Sequence, residues 1–158
     1  MKVLHKYGSY QELRLYYDDV LNNFSFGMVA NKFEQAVKDI GLLLGFESQR
    51  PDSEIRKGPD NLWSGVKDTY FLIECKSEVN LARVAISKDE AGQMNNHCGW
   101  FESEYGKGHN VKRILIIPTN VLATNADFTH EVHVMNDECL TQFKNNFSKF
   151  IHEFKGYD

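Results

Sequence analysis

The chain lacks the features that would commit it to an oxidising compartment, a membrane or a repetitive scaffold. It has three cysteines in 158 residues, Cys75, Cys98 and Cys139, with no C-x-x-C and no Cys/His metal spacing. That argues against a disulfide framework and a structural zinc site, and fits a reducing compartment best. With only three prolines, no low-complexity tract and no internal repeat, it offers no obvious linker and reads as one domain over residues 1–158. The opening "MKVLHKYGSYQELRL" has no apolar segment of signal-peptide type, and no run approaches the ~20 apolar residues of a membrane span. The expected location is cytoplasmic, with no membrane partner. Positive charge is also short, with 18 Lys and Arg against 22 Asp and Glu. The resulting net charge of −4 argues against a broad basic coat, so any nucleic-acid contact must be local.

What is present is an ordinary globular composition, 42% apolar and 25% charged, from which a packed fold is expected. Ser9 followed by Glu12 is a capping-box pattern, and Leu13, Tyr16, Val20 and Phe24 recur at helical spacing, so a helix is expected over 9–24. In "MVANKFEQAVKDIGLLLGF" Phe33, Val37, Ile40 and Leu44 form one stripe, with Gly45 as a natural stop. "NLW" and "YFLIE", separated by the polar turn "SGVKD", read as neighbouring antiparallel strands. Helical spacing returns over 88–105 through Ala91, Met94, Cys98, Phe101 and Tyr105. "VKRILIIP" reads as a strand inside a sheet, and "EVHVM" as a weaker one. Asn136 or Asp137 can cap a last helix whose Leu140, Phe143, Phe147, Phe150 and Phe154 make a core face rather than a base-stacking platform. The expected order is α-α-β-β-β-α-β-β-α, an α/β or α+β fold with a mixed sheet flanked by helices.

The stretch "GPDNLWSGVKDTYFLIECKSE" sets three ionisable groups, Asp60, Glu74 and Lys76, around an apolar run. In a strand Glu74 and Lys76 share a face while Ile73 and Cys75 point the other way, toward the core. Burying a carboxylate and an ammonium costs several kcal/mol each unless they are paired, and Asp60 on the adjacent strand can add a second carboxylate. Two carboxylates brought together repel, and a hard divalent cation such as Mg²⁺ relieves that repulsion through oxygen ligands. Such a site can polarise a phosphodiester, supply hydroxide at neutral pH and stabilise the added negative charge of the transition state. An E-x-K triplet alone is common, and at a sheet edge it is a solvated pair worth under about 1 kcal/mol. Context favours a site: a Gly-Pro-Asp turn, thirteen residues between Asp60 and Glu74, and four apolar residues directly before Glu74.

"GPDNLW", "YFLIECKS" and the preceding "FEQAVKDIGLLLGF" resemble the PD-(D/E)xK nuclease superfamily, the restriction-endonuclease-like fold, over roughly residues 30–155. Within it, "GPDNLW…IECKS…ISKDEAGQMNNHCGWFESEY" resembles the nuclease domain at the C-terminus of some bacterial DEAD/DEAH-type helicases. The resemblance implies a metal-dependent endonuclease acting on DNA, with Mg²⁺ or Mn²⁺ as cofactor. Restriction or phage defence and DNA repair are the settings it suggests, with a helicase or ATPase as partner or parent chain. It matches Pro59-Asp60 to the first half-motif and Glu74-Cys75-Lys76 to the second, with the Cys75 backbone carbonyl, beside Asp60 and Glu74, as metal ligand. Glu34 corresponds to a glutamate that assists the metal or its water, the competing reading being an i,i+4 pair with Lys38 worth about 0.3 kcal/mol. Gln93 resembles a glutamine near the phosphate backbone or the metal. His97, one turn later, can extend that surface, although a lone helical histidine is more often a partly exposed side chain.

Pro51-Asp52 is a second "PD" in the polar run "SQRPDSEIRKG", read as a loop. Lys57, Lys67, Arg83 and Lys88 are candidates for phosphate contacts. Trp63, Trp100, Phe101 and Tyr105 look exposed enough to serve a homodimer, since one site cuts one strand. Two alternatives are a non-cutting DNA-binding or scaffolding module of the same fold and an acidic interaction module with a solvated E-x-K.

Overall fold

The computed structural model describes residues 6–78, 80 and 82–157. Ser9 caps helix α1 (Tyr10–Asn23), its hydroxyl accepting from the Glu12 amide. The Glu12 carboxylate reaches back to the amide of Gly8 rather than that of Ser9. Helix α2 (Ala30–Leu43) buries Phe33, Val37 and Ile40 as expected, but its last core position is Leu43, with Leu44 only half-buried. Strand β1 (Glu47–Gln49) follows.

The polar run read as a loop instead contains a short helix, α3 (Pro51–Ile55). Proline's fixed φ and missing N–H suit the first helical position, and Arg56, in the left-handed region at φ 57°, ends the turn. Strands β2 (Asn61–Ser64) and β3 (Thr69–Cys75) form the expected antiparallel hairpin, with Asn61 opposite Ile73. Helix α4 (Lys88–Tyr105) opens on a full capping box between Ser87 and Glu90. Strand β4 (Asn110–Ile116) lies parallel to β3, and β5 (His133–Met135) parallel to β4. Asn136 caps the last helix, α5 (Asp137–His152), and a 3₁₀ turn (Glu153–Tyr157) closes the described chain.

The five strands run β1-β2-β3-β4-β5 in one mixed sheet flanked by helices. Alternation along the strands divides two layers. Trp63, Ile73, Cys75 and Ile116 pack with α1, α2 and α5, whereas Leu62 and Leu72 pack with Met94, Cys98 and Phe101 of α4. Two of the aromatics proposed for a dimer surface are therefore core, since Trp63 is 8% exposed and Phe101 1%. Of the other two, Trp100 is half-buried and Tyr105 exposed. Among the described residues no helix is long and apolar enough to cross a membrane.

Candidate active site

Antiparallel pairing of β2 with β3 brings the start of one beside the end of the other, placing Asp60 next to Glu74. The turn into Asp60 depends on Gly58, whose φ of 89° disfavours other residues and whose missing Cβ would lie 2.9 Å from the Trp100 indole. Asp60 Oδ2 accepts the Cys75 amide at 2.7 Å, locking the carboxyl across the hairpin. The contact between Asp60 and Cys75 thus runs through the Cys75 nitrogen, while Cys75 also lines the pocket described below.

Glu74 is only 4% exposed, and β3 is paired on both sides, so the solvated sheet-edge reading of E-x-K does not hold. Burial pushes the Asp60 carboxyl up to about 9, and the neighbouring Glu74 charge adds to the shift. Burial also acts to raise Glu74, but contact with His97, the hydrogen bond from Asp60 and the nearby Lys76 together outweigh it and hold Glu74 low. The two carboxyls therefore share one proton, which resides on Asp60.

Lys76 Nζ lies 3.8 Å from Glu74 Oε1 and donates to Gln93 Oε1 at 2.5 Å. Gln93 and His97 stand one turn apart on α4, and His97 Nε2 approaches Glu74 Oε2 to 3.0 Å. That ion-pair contact is the largest of the influences that hold the Glu74 carboxyl low against its burial.

Glu34 reaches the same place from α2. It pairs with Arg50 at 2.7 Å, not with Lys38, which instead binds Glu54 at 2.9 Å. Arg50, 7% exposed, also donates to Asn31 and Gln35, which fixes the guanidinium. Burial, with the Glu74 and Asp52 charges, raises the Glu34 carboxyl against the lowering pull of Arg50. Asn61 Nδ2 donates to the Glu34 carbonyl at 3.0 Å and ties α2 to the start of β2. Glu34, Asp60, Glu74, Cys75 and Lys76 line one open pocket of about 320 Å³, with Ser77 and Glu78 beside them.

The basic residues are dispersed. Lys57 and Lys88 are exposed. Lys67 sits in the β2–β3 turn, at the opposite end of the hairpin from Asp60. Arg83 is held by both Glu90 oxygens at 2.7 and 2.5 Å, so its charge is already engaged. Sequence reasoning did not assign Arg50 or give His97 a partner. For His97 the i,i+4 relation to Gln93 was the available signal, whereas nothing in the sequence marks Arg50.

Among the described residues no three His, Cys, Asp or Glu side chains form a ready-made metal site. The buried groups here engage one another instead. Their donor chemistry still fits a hard cation, because two carboxyls and a backbone carbonyl meet in one pocket and the Asp60 carboxyl favours a proton that a cation would replace. Compared with known family models, curated proteins and solved structures, the chain matches none.

Proposed function

We propose that the chain is a metal-dependent nuclease hydrolysing DNA phosphodiester bonds, an endonuclease of the PD-(D/E)xK type with a restriction-endonuclease-like fold. The observation that carries this is the meeting of the Asp60 and Glu74 carboxyls in one pocket. One carboxyl from just before β2 and one from the end of β3 line a pocket with a lysine at its wall, and their repulsion is a cost that a bound divalent cation would turn into a gain. Asp60, Glu74 and the Cys75 carbonyl are the groups that would hold Mg²⁺ or Mn²⁺. That ion, when bound, supplies Lewis-acid stabilisation of phosphoryl charge.

The remaining chemistry belongs to the side chains. Lys76 places an ammonium beside Glu74, where it neutralises charge building on the phosphoryl oxygens in the transition state. Gln93 fixes the Lys76 rotamer through its amide oxygen. Glu34, with one oxygen on Arg50 and its affinity for a proton raised by burial, accepts a proton from the attacking water. Lys57 and Lys88 are free to meet the DNA backbone as exposed cations.

One site cuts one strand, so duplex cleavage asks for a homodimer or repeated nicking. The resemblance to helicase-borne nuclease domains makes a helicase or ATPase partner or parent chain part of the same proposal. The test incubates the chain with supercoiled plasmid, linear duplex and single strands in Mg²⁺, Mn²⁺ or EDTA. Metal-dependent nicking or linearisation supports the reading, and no cleavage of any substrate in either ion overturns it. Light scattering with and without DNA decides the dimer, and a strictly monomeric mass in both counts against it.

A further inference from the structure

We infer that the N-terminus of α2 and the Ser77 hydroxyl form a subsite for a backbone phosphate of the DNA strand, beside the phosphodiester cleaved at Asp60 and Glu74. The inference rests on the nuclease reading above and adds how the substrate backbone is held.

The placement comes from the chain just past β3. It runs from Glu74 through Lys76 to Ser77, where the Gly27 amide donates to the Ser77 carbonyl at 2.8 Å and ties the entry of α2 to this segment. Ala30, the first residue of α2, therefore lines the same pocket as Asp60, Glu74, Lys76 and Ser77. Helix α2 is 14 residues long, and its Ncap residue is Val29, whose side chain makes no capping hydrogen bond. The Phe33 amide closes on the Val29 carbonyl, and the first turn before it carries no acidic residue. Uncapped amides at the positive end of a helix dipole suit an anion.

Ser77 points to the same ligand independently. It is 2% exposed, its carbonyl is taken by Gly27, and its hydroxyl has no hydrogen-bond partner. A buried hydroxyl left unsatisfied lowers stability, and a phosphoryl oxygen in the pocket that Ser77 lines would accept from it. Glu34 and Glu78 line the pocket too and oppose an anion, but Glu34 is paired with Arg50 and Glu78 is exposed. Lys76 stands on the pocket wall, and Lys144 of α5 donates to Ser25 at 2.9 Å, which puts a second ammonium on the loop entering α2. DNA carries a charge at every nucleotide, so a phosphodiester brought to the two carboxyls brings its neighbour with it.

The test uses the isotope-labelled full chain in Ca²⁺, an oxygen-seeking ion without unpaired electrons, and a short oligothymidylate with either phosphodiester or uncharged methylphosphonate links. Expected are amide shifts at Ala30, Asn31, Lys32 and Ser77 with the charged strand and none there with the uncharged one. Two variants each remove one donor. Ser77→Ala deletes the hydroxyl, and Ala30→Pro deletes an amide at the helix position that best tolerates proline, after a Val29 already at φ −59°, ψ 142°. Affinity for the charged strand should fall about tenfold in each. The Tm of Ser77→Ala should equal or exceed that of wild type, a split that a structural serine would not give. Shifts at Glu74 and Lys76 without shifts at Ala30 and Ser77 overturn the subsite and leave the nuclease reading standing. So do equal shifts by both strands, or variants that bind as wild type does. Binding of neither strand overturns the subsite, and plasmid nicking then decides the nuclease reading by itself. If a variant does not fold, the wild-type shifts decide alone.

Discussion

Replacing Asp60 with asparagine tests the shared proton without any assumption about catalysis. In the folded chain Asp60 keeps its proton up to about 9, whereas its ordinary value is 3.8. Between those values the folded state holds one proton more than the unfolded state, so unfolding free energy falls as pH rises, by about 1.4 kcal/mol per pH unit. Glu74 is shifted the other way. Its contribution is complete above the ordinary carboxylate range and is lost only as pH falls below it, so it leaves the neutral slope untouched. An amide at position 60 can accept from the Cys75 N–H and donate to Glu74 with no proton to lose. From about pH 6 to about pH 8 the metal-free wild type should therefore lose about 2–3 kcal/mol relative to Asp60→Asn. In a chain of this size that is about 5–10 °C of relative Tm. Thermal unfolding followed by circular dichroism in EDTA reads the difference directly, with groups common to both proteins cancelling. A Tm gap between variant and wild type that is the same at both pH values refutes the shared proton.

Other consequences follow from the same contacts. Mn²⁺ binding near neutral pH should release about one proton, seen as a dependence of calorimetric heat on buffer ionisation enthalpy, since the ion takes the place of the Asp60 proton. Lys76→Ala should cut DNA about 10²- to 10³-fold more slowly while still binding Mn²⁺ at least as tightly as wild type, because a positive charge beside Glu74 is gone. Arg50→Met should destabilise by about 3 kcal/mol in denaturant titration, because it leaves the Glu34 carboxylate without its partner. Gly41→Ala should cost about 1–3 kcal/mol in the same assay, its new Cβ falling 2.5 Å from Trp63 Nε1 and 2.7 Å from Ser48 Oγ.

Much of this architecture is legible in the sequence where a local rule decides. Helix α4 occupies 88–105 as its spacing implies, and alternation along "FLIECK" correctly separates Glu74 from Ile73 and Cys75. Most of the readings that failed required knowledge of distant neighbours. Trp63 and Phe101 look exposable in isolation, yet one closes on α2 and Phe46 and the other meets Tyr70 edge to face and stacks on Tyr105. Glu34 has Lys38 at the favourable helical spacing, but the largely buried Arg50 guanidinium takes its carboxylate at 2.7 Å, so the long-range pair wins over the local one. The α3 helix escaped because five residues carry no periodicity, and only Pro51 at its first position hints at it. His97 escaped for the opposite reason. Its spacing from Gln93 was plain, but what gives it meaning is its 3.0 Å contact with Glu74, and no sequence pattern reports a contact between a helix and a strand so placed.

The central claim is that Asp60 and Glu74 hold a cation without which the chain cannot cut DNA. It is tested most directly by nicking of supercoiled plasmid in Mn²⁺, wild type against Asp60→Asn, with Mn²⁺ affinity measured calorimetrically on the same preparations. Wild type should bind the ion and nick the plasmid, and the variant, folded and at least as stable in EDTA, should do neither. An Asp60→Asn protein that binds Mn²⁺ and nicks at the wild-type rate would contradict the account, reducing Asp60, Glu74 and Lys76 to a buried ion cluster of the fold.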